Sequence, residues 1–122
     1  MTTYELQADL FKAMAHPVRL RILDILSHGE ACVCHLTAVL KQRQPYVSQQ
    51  LMALREANLV TDRREGLMVY YSLADERVVA VMTVTRDMLR ASGVDVQLAD
   101  VPELPVEGCP CPKCEEAARY VA

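Results

Sequence analysis

Apolar residues recur at helical spacing through most of this chain, and one stretch alternates instead. From Tyr4 to Met14, residues Leu6, Leu10, Phe11 and Met14 fall on one side of a helix. Ala15-His16-Pro17 interrupts the pattern, and Pro17 suits the opening turn of a second helix, where a missing N–H costs nothing. That helix, Pro17 to Ser27, carries Val18, Ile22, Ile25 and Leu26 along one face, and Gly29 is placed to stop it. Glu30 to Leu40 reads as a third helix, with Val33, Leu36 and Leu40 inward. A polar turn, Lys41 to Gln44, leads into Gln44 to Val60, which begins around Pro45 and buries Val47, Leu51 and Leu54. Its other face presents Tyr46, Ser48, Gln49, Gln50 and Arg55. Two short helices joined in this way predict a helix-turn-helix.

The alternating stretch is Leu59 to Leu73. Leu67, Val69, Tyr71 and Leu73 interleave with Met68, Tyr70 and Ser72, and Glu65-Gly66 supplies a tight turn, so a β-hairpin is expected with Arg63 and Arg64 at its tip. A last helix, Asp75 to Ser92, has a wide apolar face of Val78, Val81, Met82, Thr85, Met88 and Leu89. Such a face must be covered, either by its own domain or, together with the first helix, by a second copy. The prediction is a mainly α fold with a β-hairpin wing (α+β), a winged helix-turn-helix over residues 1–92, dimeric if a second copy covers the last helix. Residues 93–122 hold four of the six prolines and three of the five cysteines, and read as a Cys/Pro-rich arm, with one helical turn expected around Glu115 to Tyr120.

Composition sharpens this. At 122 residues and 52% hydrophobic, the chain is one folded domain by length, and its low aromatic content (5%) suits helical packing. No apolar run approaches the roughly 18 residues of a membrane span, and the first residues lack a basic-then-apolar signal pattern. A cytoplasmic protein with no membrane partner is expected. The net charge of −3 argues at first against nucleic acid. Its distribution does not: Lys41, Arg43, Arg55, Arg63 and Arg64 face only Glu56 and Asp62 within that segment, whereas acids dominate from Leu73 onward. A helix that is core on one side and amide, hydroxyl and guanidinium on the other suits the major groove of DNA. Gln44, Tyr46, Ser48, Gln49 and Gln50 are the candidates to read or position it, and Arg63 and Arg64 to touch phosphate or the minor groove. An ordinary solvated face is the plainer reading of each element alone; their succession favours DNA.

The cysteines carry the remaining chemistry. In a reducing compartment clustered thiols point to metal binding or redox chemistry rather than a disulfide frame. Cys32 and Cys34 are separated by about 200° on a regular helix, so both reach one ion only where a helix starts near them or deforms. Cys109, Cys111 and Cys114 follow in CxC and CxxC spacing between prolines. Two thiols do not complete a metal site, and the two groups together hold enough sulfur for three or four thiolate ligands. His35 adjoins both thiols: a ligand is one reading, and an ordinary exposed histidine or helix-turn contact is the plainer one. His16 reads as structural, and His28 as a cation at a helix end.

Three blocks, LFKAMAHPVRLRILDILSHGEACVCHL, QPYVSQQLMALREANLV and REGLMVYYSL, resemble the ArsR/SmtB family of bacterial metal-sensing repressors in order and spacing. The resemblance implies a winged-helix homodimer that binds operator DNA when metal-free and releases it on binding a metal ion or metalloid. Glu30 to Leu36, EACVCHL, resembles the family's ELCVCDL metal box, matching at Cys32, Val33, Cys34 and Leu36 and departing at Ala31 and His35. A second family site on the last helix uses Asp, His and Glu; Asp75 to Ser92 has no His, so that site is not expected. The expected metal ligands are Cys32, Cys34, Cys109, Cys111 and Cys114, with As(III)/Sb(III) slightly favoured over Cd(II)/Pb(II). The alternative is a thiol redox or sulfide-responsive repressor. A small CxxC oxidoreductase lacks the βαβ pattern it needs around Cys111 and Cys114, so no catalytic residue is expected.

Overall fold

The computed structural model describes residues 1–99 together with Cys114 and Arg119. Among these it has five α-helices and a three-stranded antiparallel sheet. α1 (Thr3–Met14) opens on a reciprocal cap, in which the Glu5 N–H donates to the Thr2 hydroxyl and the Thr2 N–H donates to the Glu5 carboxylate. α2 (Pro17–Leu26) has Pro17 in its first turn and His16 as its cap: Nδ1 of the imidazole accepts the Val18 N–H at 3.2 Å.

Between α2 and the third helix the chain departs from the helix expected over Glu30 to Leu40. Ala31–Cys32 forms a short strand, β1, which pairs with Tyr71 and Tyr70 of β3 (Met68–Leu73). Both β1 residues are buried. α3 (Val33–Leu40) therefore begins only after Cys32, whose sulfur caps it by accepting the His35 N–H at 3.3 Å. α3 ends at Lys41 in a left-handed conformation (φ 53°). α4 (Gln44–Glu56) stops short of the predicted Val60. Asn58 takes φ 60°, the Asn58 N–H donates to the Arg55 carbonyl and the Leu59 N–H to that of Leu54, the bonding pattern that closes a helix through a left-handed residue.

β2 (Val60–Glu65) pairs with β3 in a register that opposes Glu65 to Met68. The hairpin loop is thus Gly66-Leu67, one residue beyond the expected Glu65-Gly66, and Gly66 supplies the positive φ of 59°. Arg63 and Arg64 lie within β2, not at the tip. The sheet order is β1-β3-β2. α5 (Arg77–Ala91) follows and is tied to α2 by the Arg86–Asp24 ion pair at 3.2 Å.

The core joins Ile22, Leu23 and Leu26 of α2, Leu36 and Leu40 of α3, Val47, Leu51 and Leu54 of α4, Val60 and Tyr70 of the sheet, and Val78 and Met82 of α5. Each such aliphatic side chain contributes about 1.5–3 kcal/mol through burial, and the stripe predicted for α4 is the centre of it. α1 and α5 are different. Of the apolar residues predicted on α1 only Met14 is buried, and Leu6, Leu10 and Phe11 face outward. On α5 only Val78 and Met82 are buried, while Val84, Met88 and Leu89 are exposed. Among the described residues no helix is long and apolar enough to cross a membrane.

Candidate nucleic-acid interface and thiol site

α4 is 13 residues long, about 20 Å at 1.5 Å per residue, and packs its stripe of Val47, Leu51 and Leu54 onto the core with none of the three exposed. This fixes which residues point away. Gln44, Ser48 and Gln49 are exposed, as are Met52 and Arg55 farther along, and the first turn has no acid to repel a phosphate.

Tyr46 and Gln50 sit one turn apart on a different face, against the start of α2. Because His16 Nδ1 is an acceptor, its ring proton is on Nε2, which lies 3.4 Å from the Tyr46 hydroxyl and donates to it. Gln50 is only 8% exposed, and its carbonyl oxygen accepts from Nε of Arg19 at 2.8 Å. Gln50 was expected on the outward face; the structure turns it inward, because an amide at this position is next to a guanidinium 31 residues away. Its carbonyl oxygen is engaged within the fold.

The two wing arginines also part company. Arg63 forms a fork with Glu30, including an Nε–Oε2 bond of 2.8 Å, pairs with Glu65 at 2.7 Å, and lies over the Tyr70 ring at 4.7 Å from its centroid. Its hydrogen bonds to Glu30 and Glu65 hold its guanidinium charged well above the ordinary range. It stitches β2 to the approach of β1. Arg64, on the opposite face of the same strand, is exposed and, among the described residues, in no ion pair. Arg55 bridges α4 to the wing through Asp62 at 3.4 Å.

The thiol site lies at the other end of the helix pair. Cys32 belongs to β1 and Cys34 to the first turn of α3. The helix starts between them, and that start removes the wide angular separation of a continuous helix: the two sulfurs are 2.7 Å apart, Cys32 buried and Cys34 partly exposed. His35 is 9% exposed, not the exposed histidine expected, and its Nδ1 is 3.6 Å from the sulfur of Cys114, 79 residues along the chain and itself 1% exposed. The arm therefore reaches α3 at Cys114. A thiol and an imidazole at this separation can hydrogen-bond or serve as neighbouring ligands of one ion. The sequence offered His35 as a ligand only as the second reading and did not pair it with Cys114, although a histidine directly after two thiols was the signal. Cys109 and Cys111 lie outside the described residues, as does most of the expected turn around Glu115 to Tyr120. Among the described residues, no three His, Cys, Asp or Glu side chains are arranged to hold a metal ion.

A helix-turn-helix with a polar outward helix, followed by a hairpin, defines the class: a winged helix-turn-helix DNA-binding protein. The comparisons with known proteins agree. The family model described as "Bacterial regulatory protein, arsR family" matches residues 16–62. The chain is 45% identical over 85 residues to a transcriptional repressor SmtB homolog of Synechocystis, covering 70% of this chain and 64% of that protein. It is 44% identical over 73 residues to the arsenical resistance operon repressor of Escherichia coli, covering 59% of this chain and 62% of that one. The match thus spans a little under two thirds of these two relatives. Among solved structures, Rv0081 of Mycobacterium tuberculosis superposes with a TM-score of 0.69 at 34% identity, covering 75% of this chain and 93% of that one. The homodimeric winged helix-turn-helix domain Mb0332 of Mycobacterium bovis gives 0.68 at 29% identity, covering 80% and 90%. The chain belongs to the ArsR family of bacterial transcriptional regulators.

Proposed function

We propose that this protein is a cytoplasmic, homodimeric repressor that binds operator DNA through α4 and the wing and is released when its thiols bind a soft metal or metalloid. The observation that carries the reading is the convergence of Cys32 and Cys34 at the first turn of α3, the helix on which α4 rests. Gln44, Ser48 and Gln49 face the operator, Arg64 contacts the flanking phosphates, and Tyr46, Gln50 and Arg63 hold these elements in place. The exposed apolar residues of α1 and α5 suit a dimer contact, in keeping with the homodimeric state of the Mycobacterium bovis relative.

The donor set fits a soft ion. Cys32 and Cys34 would hold it, completed by thiols of the arm from among Cys109, Cys111 and Cys114, with the His35 nitrogen adjacent. Such an ion supplies strong bonds to sulfur and little preference for the oxygen ligands of water. Three thiolates satisfy As(III)/Sb(III), which is the reading slightly preferred, in keeping with the name of the E. coli relative; Cd(II)/Pb(II) would use a fuller sulfur set. The arm ties to α3, α3 supports α4, and a change at the thiols thereby changes how two copies of α4 meet successive grooves. A tenfold loss of operator affinity needs only about 1.4 kcal/mol of coupling.

The nearness of the two sulfurs also suits a second reading, in which oxidation of the thiols, not an ion, releases DNA. Fluorescence anisotropy on a duplex enriched from a random pool separates the two. Stoichiometric As(III) or Cd(II) releasing the reduced protein supports the sensor. Indifference to every ion, with release on oxidation, supports the redox repressor.

A further inference from the structure

We infer that Arg19 is the positioning residue that fixes the DNA-reading helix relative to the first helix, and with it the accuracy of sequence reading. The inference rests on the DNA-binding reading above. One guanidinium holds two elements at once: Nε donates to the Gln50 side chain on α4 at 2.8 Å, and Nη1 donates to the carbonyl of Ala13 in the last turn of α1 at 3.2 Å.

Both acceptors need this donor. The residue four beyond Ala13 is Pro17, which has no N–H, so the Ala13 carbonyl lacks the donor a continuing helix would give it. Gln50 is 8% exposed on the side of α4 that meets α2, where an amide oxygen withdrawn from water needs a donor from the protein. An apolar residue at this position would pack more simply. What a Gln–Arg hydrogen bond adds is direction, since the planar guanidinium accepts few arrangements of its partners. A second peg lies one turn away, where His16, the cap of α2, donates to Tyr46. The two pegs, His16–Tyr46 and Arg19–Gln50, resist both rotation of α4 about its axis and sliding along it. Because α1 carries exposed apolar residues suited to a dimer contact, the Ala13–Arg19–Gln50 chain also relates each reading helix to its counterpart.

A residue that positions α4 affects specific binding differently from one that touches DNA. Loss of a phosphate contact weakens all sequences alike and lowers the salt dependence by about one charge. Loss of positioning weakens the chosen sequence alone. The test uses the full-length protein and a duplex enriched by the wild type from a random pool, with a scrambled duplex as control, in anisotropy titrations at several salt concentrations. Arg19→Lys keeps the charge but not the planar fork, and it is expected to lower the ratio of specific to scrambled affinity about tenfold, the scale of one misplaced base contact, with scrambled binding and salt slope unchanged. Arg19→Met/Gln50→Met removes both partners and is expected to lose no more than Arg19→Met alone. Arg19→Lys with the wild-type ratio overturns the inference, as does an equal fall on both duplexes with a reduced salt slope. Failure of the wild type to enrich any duplex overturns the DNA-binding reading and this inference with it.

Discussion

The helix pair formed by α3 and α4 is held from two sides by different chemistry. On one side α2 grips α4 through His16–Tyr46 and Arg19–Gln50, hydrogen bonds between groups of fixed direction and low reactivity. On the other side the start of α3 is held by sulfur: Cys32 caps the helix, Cys34 meets Cys32, and Cys114 of the arm meets His35. The polar side can only hold or break. On the proposed reading, the sulfur side would exchange its partners for a soft ion. In the proposed function, α2 would set what α4 reads, and the thiols would set whether it is read.

The largest effect on this comparison comes from removing the core that both sides share. Leu51 is fully buried beneath α4, and Leu51→Ala is expected to cost about 2–5 kcal/mol, measured by chemical denaturation, with DNA binding and ion response lost together. A substitution on the outward face of the same helix, Ser48→Ala, should leave stability nearly unchanged.

On the sulfur side, His35→Gln removes an imidazole while keeping a polar group of similar size beside Cys114. If the nitrogen supports ion binding directly or through Cys114, Cd(II) affinity falls by about 10–100-fold, read from the ultraviolet sulfur-to-metal absorption, while ion-free DNA affinity stays the same. Unchanged Cd(II) affinity would leave the contact a packing feature.

The wing offers a smaller contrast between neighbours. Arg64→Ala is expected to weaken binding to specific and scrambled duplexes alike and to lower the salt slope by about one. Arg63→Ala removes the stitch to Glu30 and Glu65 and is expected to leave the salt slope as it is. Equal slopes for both variants would mean that the two arginines share one role.

The smallest effect is at the start of α5, away from both sides. The Asp75 carboxylate accepts from the Arg77 side chain and N–H, and these bonds lower its pKa to about 2 from its ordinary 3.8. A lowered value means that the folded state favours the charged form, so the stabilisation is complete above 3.8 and is lost as pH falls through about 2. Both groups are exposed, so the effect is slight. Thermal melts of Asp75→Asn should fall marginally below wild type at neutral pH, with the difference gone near the lower value.

The elements that could be read in the sequence are those whose evidence is local. The α4 stripe, its proline-marked start and the alternation of β3 each lie within a dozen residues, and the fold followed from them. What was not legible depends on distant partners. β1 is two residues long, too short for alternation, and exists because Tyr70 and Tyr71 pair with it. Gln50 looks like its neighbour Gln49 until Arg19 is placed beside it. Arg63 looks like Arg64 until Glu30, 33 residues away, is brought across the sheet. His35 is buried against a cysteine from the arm. In each case the residue type suggested polar work, and only the fold decided whether that work faces inward or outward.

The most direct test of the central claim is operator release by the Cys32→Ser/Cys34→Ser variant. Reduced wild-type and variant proteins, each bound to the enriched duplex, are titrated with As(III) and Cd(II) and followed by anisotropy. Both proteins are expected to bind DNA with affinities within about threefold, a difference of under about 1 kcal/mol, and stoichiometric ion is expected to release only the wild type. Release of the variant at the same ion concentration would contradict the claim, because the switch would then lie outside the thiols at the start of α3.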